Sequence, residues 1–272
     1  RKPRKAVALE VSSWGDMIKL ILWTIPLVGV LGILVWRIEN MGYLSATGAA
    51  ICYAVIVAIV CYQIIQILRG NIPLLKQGVP EDDKYPFNSV AALNSTYFAN
   101  FGAELAVVSM LPLFFTDTFT LSAVTGGLLA SGYAFMNLVA RPGGGWAILL
   151  CGLMVGYGLM SQIGSSWPIA LAVIATMCCS FFVQAGEGAV FATVPLIKRR
   201  LTGQIAGMVG AYGNAGAVIF LTVLTFVDPS TFFLVIAASA AVALAAVQFL
   251  DEPKGHIAEI DEKGDVQLIE VG

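Results

Sequence analysis

The chain has 272 residues, of which 58% are hydrophobic and only 12% charged, with a net charge of −2 and a mean hydropathy of +0.84. A water-soluble domain carries about a quarter charged residues, so too little polar side chain is present to clothe a globule of this length. The balance excludes a soluble enzyme, a disordered chain and a nucleic-acid-binding domain, and predicts an integral membrane protein.

About 20 apolar residues are needed to cross the hydrocarbon core. Eight stretches qualify, at 17–37, 44–68, 88–115, 121–146, 147–164, 168–196, 203–227 and 230–250. The predicted fold is therefore all-α, a polytopic membrane helix bundle of eight transmembrane helices. Residues 1–68 hold the first two helices, 69–87 read as a polar linker, 88–250 as a six-helix unit, and 251–272 as an acidic tail without fixed structure. Thirteen of the 15 lysines and arginines fall near the N-terminus, in the linker, in Lys198-Arg199-Arg200 or in the tail. With alternating helices these regions share one face, which the positive-inside rule makes cytoplasmic, both termini included. The basic run Arg1 to Lys5 is not followed directly by a short apolar core and cleavage site, so no signal peptide is expected.

One place is physically awkward. Arg141-Pro142-Gly143-Gly144-Gly145-Trp146 ends one apolar run, and Ala147-Ile148-Leu149-Leu150 begins the next at once. Two antiparallel helices need a connection of at least about two residues. Either Gly143 to Trp146 make the turn, or a loop is missing and Trp146 and Ala147 are not bonded neighbours; the missing loop is the expectation.

Away from the edges of the spans, where Lys19 and Arg37 lie, three formally charged side chains remain, Glu104, Arg141 and Glu187. Each costs about 2.5–3.5 kcal/mol or more to insert, which makes function the default reading. The bland alternatives are a snorkelling Arg141 and neutral, hydrogen-bonded glutamates. Tyr97, Phe101 and Glu104 are spaced to share one helix face, as are Gln184 and Glu187. The run 203–217 is dense in glycine, with Gly210, Gly213 and Gly216 three apart and Asn214 among them. Such a stripe lets helices pack closely, or presents amide donors to a small polar solute. The five cysteines lie in apolar runs and read as small buried hydrophobes. His256, the sole histidine, lies in the tail. No catalytic residue, metal site or cofactor is expected, and the chain is not read as an enzyme.

Four strings carry a resemblance: Phe98-Ala99-Asn100-Phe101-Gly102-Ala103-Glu104-Leu105, Ala140-Arg141-Pro142-Gly143-Gly144, Gly186-Glu187-Gly188-Ala189 with the following Pro195 to Gln204, and Gly210-Ala211-Tyr212-Gly213-Asn214-Ala215-Gly216-Ala217. In this order they resemble the nitrate/nitrite porter family of the major facilitator superfamily, over about 88–252. The resemblance implies a C-terminal half of three plus three helices from a twelve-helix transporter, moving nitrate or nitrite by alternating access. It implies that Arg141 grips the anion, that Tyr97 and Phe101 line the site, and that Gly210, Gly213, Asn214 and Gly216 belong to a glycine-rich signature. Glu104 and Glu187 are the candidates for proton coupling. The partners implied are the small anion, protons, the lipid bilayer of the plasma membrane and a missing N-terminal half. The first two helices match no particular family helix, and the loop usual after the eighth helix is absent. The competing readings are a proton-coupled porter of another small anion, and a non-transporting membrane sensor or subunit.

Overall fold

The structure is a computed structural model and describes residues 8–140, 146–248, 250, 255–260 and 266–271. Nine α-helices follow one another among these: α1 (Trp14–Asn40), α2 (Ala46–Gln77), α3 (Phe87–Phe119), α4 (Ala123–Phe135), α5 (Asn137–Ala140), α6 (Trp146–Met160), α7 (Ile169–Ile197), α8 (Thr202–Leu224) and α9 (Pro229–Val247). Side chains fix several starts by accepting a bond from an otherwise orphaned N–H. Ser13 accepts from Asp16 N at 3.0 Å, Ser45 from Gly48 N at 3.2 Å and Asp228 from Thr231 N at 3.1 Å, with Pro229 opening α9. The two hydrogen bonds from Thr231 hold the exposed Asp228 carboxyl below its usual range.

All eight expected apolar stretches are helical, six of them long and apolar enough to cross a membrane. The chain is an integral, multi-pass membrane protein. Two stretches are shorter than expected. α4 and α6, with 13 and 15 residues, reach about 20 and 22 Å, short of a core about 30 Å thick. The stretch expected at 121–146 breaks at Met136, where Asn137 turns its amide to Glu104 and the short α5 begins. α6 runs unbroken through Trp146 and Ala147, so the two are consecutive residues of one helix, contrary to the expected gap. The Arg141 to Gly145 run lies outside the described residues.

Two other expectations change. α2 continues to Gln77, well into the expected linker. Buried Asn71 explains this: its amide donates to Ile67 O and Leu9 O, and its oxygen accepts from Val11 N at 2.8 Å, tying the helix end to the N-terminal segment. The tail forms an antiparallel pair of strands, β1 (Gly255–Ile260) and β2 (Val266–Val271), with Gly255 opposite Val271 and Ile260 opposite Val266. Their isoleucines and valines favour a pleated pairing over the expected lack of structure.

α3 is the pillar of the bundle, packing on α4, α7, α8 and α9, while α6 lies against α7 and α9. Leu111, Phe115, Tyr133, Leu153, Tyr157 and Phe233 form one core; Phe87, Val90, Leu93, Val190, Leu201 and Ile205 form another nearer the start of α3. α1 pairs with α2 and reaches α8, where Tyr212 donates to Trp23 O. α2 turns Ile51, Val55 and Ile65 outward, as a lipid-facing helix does.

Ion pairs tie the basic turn Lys198–Arg200 to acidic residues of the N-terminal segment and the linker at one end of the bundle. Arg200, in the turn between α7 and α8, bonds Glu10 at 2.7 Å and lies 3.5 Å from Asp83 of the linker; Lys198 lies 3.8 Å from the same carboxylate. Tyr85 donates to Glu10 O at 2.6 Å, and burial, helped by the nearby acidic groups, pushes its phenol well above the usual value. Its proton is therefore retained for that bond.

α3 and α8 touch backbone to backbone. A Cβ added at Gly102 would come within 2.7 Å of the Gly216 backbone, and one at Gly216 would strike Phe98 O and approach Gly102 Cα at 3.1 Å. Backbone cannot step aside as a side-chain tip can. Gly216→Ala should therefore cost about 1–3 kcal/mol of overpacking, seen as an earlier thermal transition in detergent. Gly203→Ala, at a position where nothing lies within 4 Å, is the control that should leave the transition in place.

Candidate functional site

Tyr97 sits at the junction of three helices. Its ring stacks on Phe101, one turn further along α3, with centroids 5.1 Å apart and planes 8° from parallel. Phe191 of α7 meets Tyr97 edge-on at 5.0 Å and 85°. Gly213 of α8 closes the third side: a Cβ there would lie 2.5 Å from the Tyr97 ring and 2.8 Å from Phe101. The aromatic stripe expected on α3 is thus one wall, and Phe191 adds a face that sequence reading missed. Its spacing, four residues after Glu187 and seven after Gln184, was the signal that could have found it.

Glu104 is buried on α3, only 6% exposed, and accepts a 2.7 Å bond from Asn137 Nδ2 at its Oε1. Glu187 is buried on α7 at 2%. The two helices run antiparallel, because Tyr97 meets Phe191 while Asn100 meets Gly186. Glu187 directly follows Gly186 and Glu104 lies one turn beyond Asn100, so both carboxyls belong to one seam. Asn100 and Gln184 complete it as buried amides, 1% and 0% exposed, with no hydrogen-bond partner at either head atom among the described residues. Asn100 and Asn137 were not singled out in the sequence, where single amides in apolar runs carry no periodic signal.

The glycine signature divides between two sides of α8. Gly213 and Gly216 press on α3. Gly203, Gly207 and Gly210 have nothing within 4 Å of a Cβ position, and Asn214 is exposed, donating to Gly210 O at 3.0 Å. Both readings of the glycines thus have a geometric basis, on opposite sides, and the structure does not bring Gly210 and Asn214 onto the aromatic pair. A cavity of about 620 Å³ opens beside that second side, lined by Leu20, Thr24, Ile59, Gln63, Gln204 and Gly207. Arg141 lies outside the described residues; α5, which packs on α7, ends at the residue before it, the buried Ala140.

These features define a helical membrane protein with an aromatic wall and a buried polar seam at the centre of its bundle. Comparison with known proteins extends this. The chain is 44% identical to the nitrate/nitrite transporter NrtP of Picosynechococcus sp. over 98% of its length, and 39% identical to the protein of that name in Nostoc punctiforme over 95%. It is 35% identical to the high affinity nitrate transporter 2.5 of Arabidopsis thaliana over 48% of its length, 29% of that protein. The resemblance seen in the four strings therefore holds along nearly the whole chain. The chain spans about half the length of the curated relatives it matches, 56% and 55% of the two NrtP proteins. The first alignment runs over 298 residues, more than the 272 of this chain, so that relative carries residues within the matched region that this chain lacks. No family model matches.

The Glu104–Asn137 bond joins α3 to the short helix that leads to Arg141. Asn137→Leu leaves the buried Oε1 without its donor, at a cost of about 1–3 kcal/mol. Unfolding of the variant in denaturing detergent should begin earlier; an unchanged midpoint would show that the bond contributes nothing.

Proposed function

We propose that this chain is a partial copy of a nitrate/nitrite porter of the major facilitator superfamily, with residues 88–250 as its C-terminal six-helix half, carrying its anion by alternating access across the plasma membrane with both termini cytoplasmic. The observation that carries the reading is the 44% identity to a nitrate/nitrite transporter along 98% of the chain, with the Tyr97–Phe101 pair stacked at the junction of α3, α7 and α8. The ion pairs of Lys198 with Asp83 and of Arg200 with Glu10, which bring the N-terminal segment, the linker and the α7–α8 turn to one end, support the orientation. The missing N-terminal half would supply the facing wall, and the outward apolar face of α2 meets lipid.

Nitrate is small, planar and singly charged. A guanidinium is planar, always charged, and donates two parallel hydrogen bonds, so Arg141 suits such an oxyanion better than a lysine. Tyr97 and Phe101 present flat walls that exclude water from the ion, and Gly213 holds the pair in place. Gly210 and Asn214, on the other side of α8, serve the wall that faces the missing half. Gly216 keeps α8 fixed to α3 so that the half moves as one body. Glu104 and Glu187 carry the proton that accompanies the anion.

In the complete transporter Arg141→Lys should weaken nitrate binding at least about tenfold, since the two-donor geometry is lost while the charge is kept. Equilibrium binding of labelled nitrate measures it, and near-wild-type affinity would remove Arg141 from the site. Uptake into proteoliposomes tests the coupling. If Glu104 carries the proton, wild-type uptake depends on pH and the residual uptake of Glu104→Gln does not. A slope retained by the variant leaves Glu104 a packing residue.

A further inference from the structure

We propose that the seam between α3, α5 and α7 is an internal hydration site, in which bound water bridges the amides of Asn100 and Gln184 to Glu104 Oε2 and exchanges a proton with that carboxyl. This deepens the reading of Glu104 as the proton carrier and rests on it for what the proton is used for. The site itself rests on geometry.

Five polar atoms in the seam lack a hydrogen-bond partner among the described residues: both head atoms of Asn100, both of Gln184, and Glu104 Oε2. All three residues are more than nine-tenths buried. Their depths coincide. With Asn100 opposite Gly186 and α7 antiparallel to α3, a rise of about 1.5 Å per residue sets Gln184 midway between Asn100 and Glu104. All lie near the middle of the 33-residue α3, where lipid offers no hydrogen bond. An amide leaves one donor and one acceptor side to fill, and a water molecule both donates and accepts two bonds, so water fits each head where an ion of one sign does not.

The same arrangement serves both protonation states. Oε1 is already held by Asn137 at 2.7 Å, which leaves Oε2 as the atom that gains or loses the proton. Protonated, Oε2 donates through water to Asn100 Oδ1 or Gln184 Oε1. Ionised, it accepts through water from their NH₂ groups. A hydronium ion from bulk water gives up its proton as one of its O–H bonds breaks, the carboxyl O–H forms and neutral water remains; the return step hands the proton back to water. The other titratable groups on the packed elements are Glu187, Cys178 and Cys179 on α7, Tyr133 on α4, Cys151 and Tyr157 on α6, and Tyr97 and Asp117 on α3 itself, with Tyr212 on α8 and none on α9; Arg141 follows α5 outside the described residues. Tyr133 and Tyr157 spend their hydroxyls on each other at 2.7 Å. Gly186 is what leaves Asn100 its place, since a Cβ there would come 2.6 Å from Nδ2.

Acid-minus-alkaline infrared difference spectra of the full chain in lipid nanodiscs, without nitrate, test the site. The expected spectrum has a carboxylic C=O band that shifts down in D₂O and is lost in Glu104→Gln. It also has a water O–H band that shifts in H₂¹⁸O and is lost in Asn100→Leu and in Gln184→Leu. A wild-type spectrum with no band sensitive to H₂¹⁸O overturns the proposal whether or not the variants fold, and so does a Glu104 band indifferent to both amide substitutions. The outcome is separate from the porter reading. A hydrated Glu104 in a chain whose complete transporter ignores nitrate sinks that reading alone, and nitrate transport with a dry seam sinks this one alone.

Discussion

The backbone contact between Gly102 and Gly216 is the constraint on which the centre of this bundle depends. Within a membrane, apolar side chains gain little by leaving lipid for protein, so helices are held by close packing and by hydrogen bonds between them. Two glycines face to face let α3 and α8 approach as near as backbones can. That approach sets everything one turn away. It brings Gly213 against the Tyr97 and Phe101 rings and fixes the side from which Phe191 of α7 can meet them. A larger residue at either glycine would separate the helices and open the aromatic junction with them.

The adjoining surface of α3, toward α7 and α5, is organised by polarity rather than by closeness. Asn100 and Glu104 face α7 and α5, not lipid, because a carboxyl or amide left in hydrocarbon costs far more than the same group in a seam. The Asn137 bond to Glu104 makes α5 part of this arrangement and accounts for the break between Phe135 and Asn137: the chain leaves α4 where a polar side chain has a buried partner to reach. Ser180 adds a second cross-link, donating to Tyr133 O at 2.6 Å. Polar bonds thus specify which helix lies beside which, while the aromatic and aliphatic cores fill the space between.

Much of this was legible in the sequence. Helical periodicity placed Tyr97, Phe101 and Glu104 on one face, and the structure stacks the first two and buries the third. Apolar length located all eight stretches, and the clustering of lysine and arginine anticipated that the N-terminal segment, linker and α7–α8 turn would meet at one end. What escaped depends on partners far away in the chain. Asn71 prolongs α2 because it bonds Val11 and Leu9, 60 and 62 residues earlier. Phe191, Asn100 and Asn137 matter through contacts across helices that no local pattern records. The glycine signature misled in a different way: its spacing suggests one stripe, but residues three apart drift around a 3.6-residue helix, so Gly213 and Gly216 reach α3 while Gly210 and Asn214 do not.

On the porter reading, the spacing of the aromatic pair and Glu104 decides how anion and proton must influence each other. An anion held at the level of Tyr97 and Phe101 would lie about 10 Å from a carboxyl one to two turns further along α3. At an effective dielectric constant of about 20, two like charges at that distance repel by about 1.7 kcal/mol, a factor of ten to twenty in affinity. Bound nitrate would therefore favour the protonated carboxyl by that factor, and by linkage the protonated carboxyl would favour nitrate equally. A neutral Glu104 removes the repulsion without removing the hydrogen bond from Asn137, so the helix packing that shapes the aromatic wall persists in both states. The coupling needs no movement of the carboxyl toward the anion: it follows from placing a group that can lose its charge within reach of one that cannot.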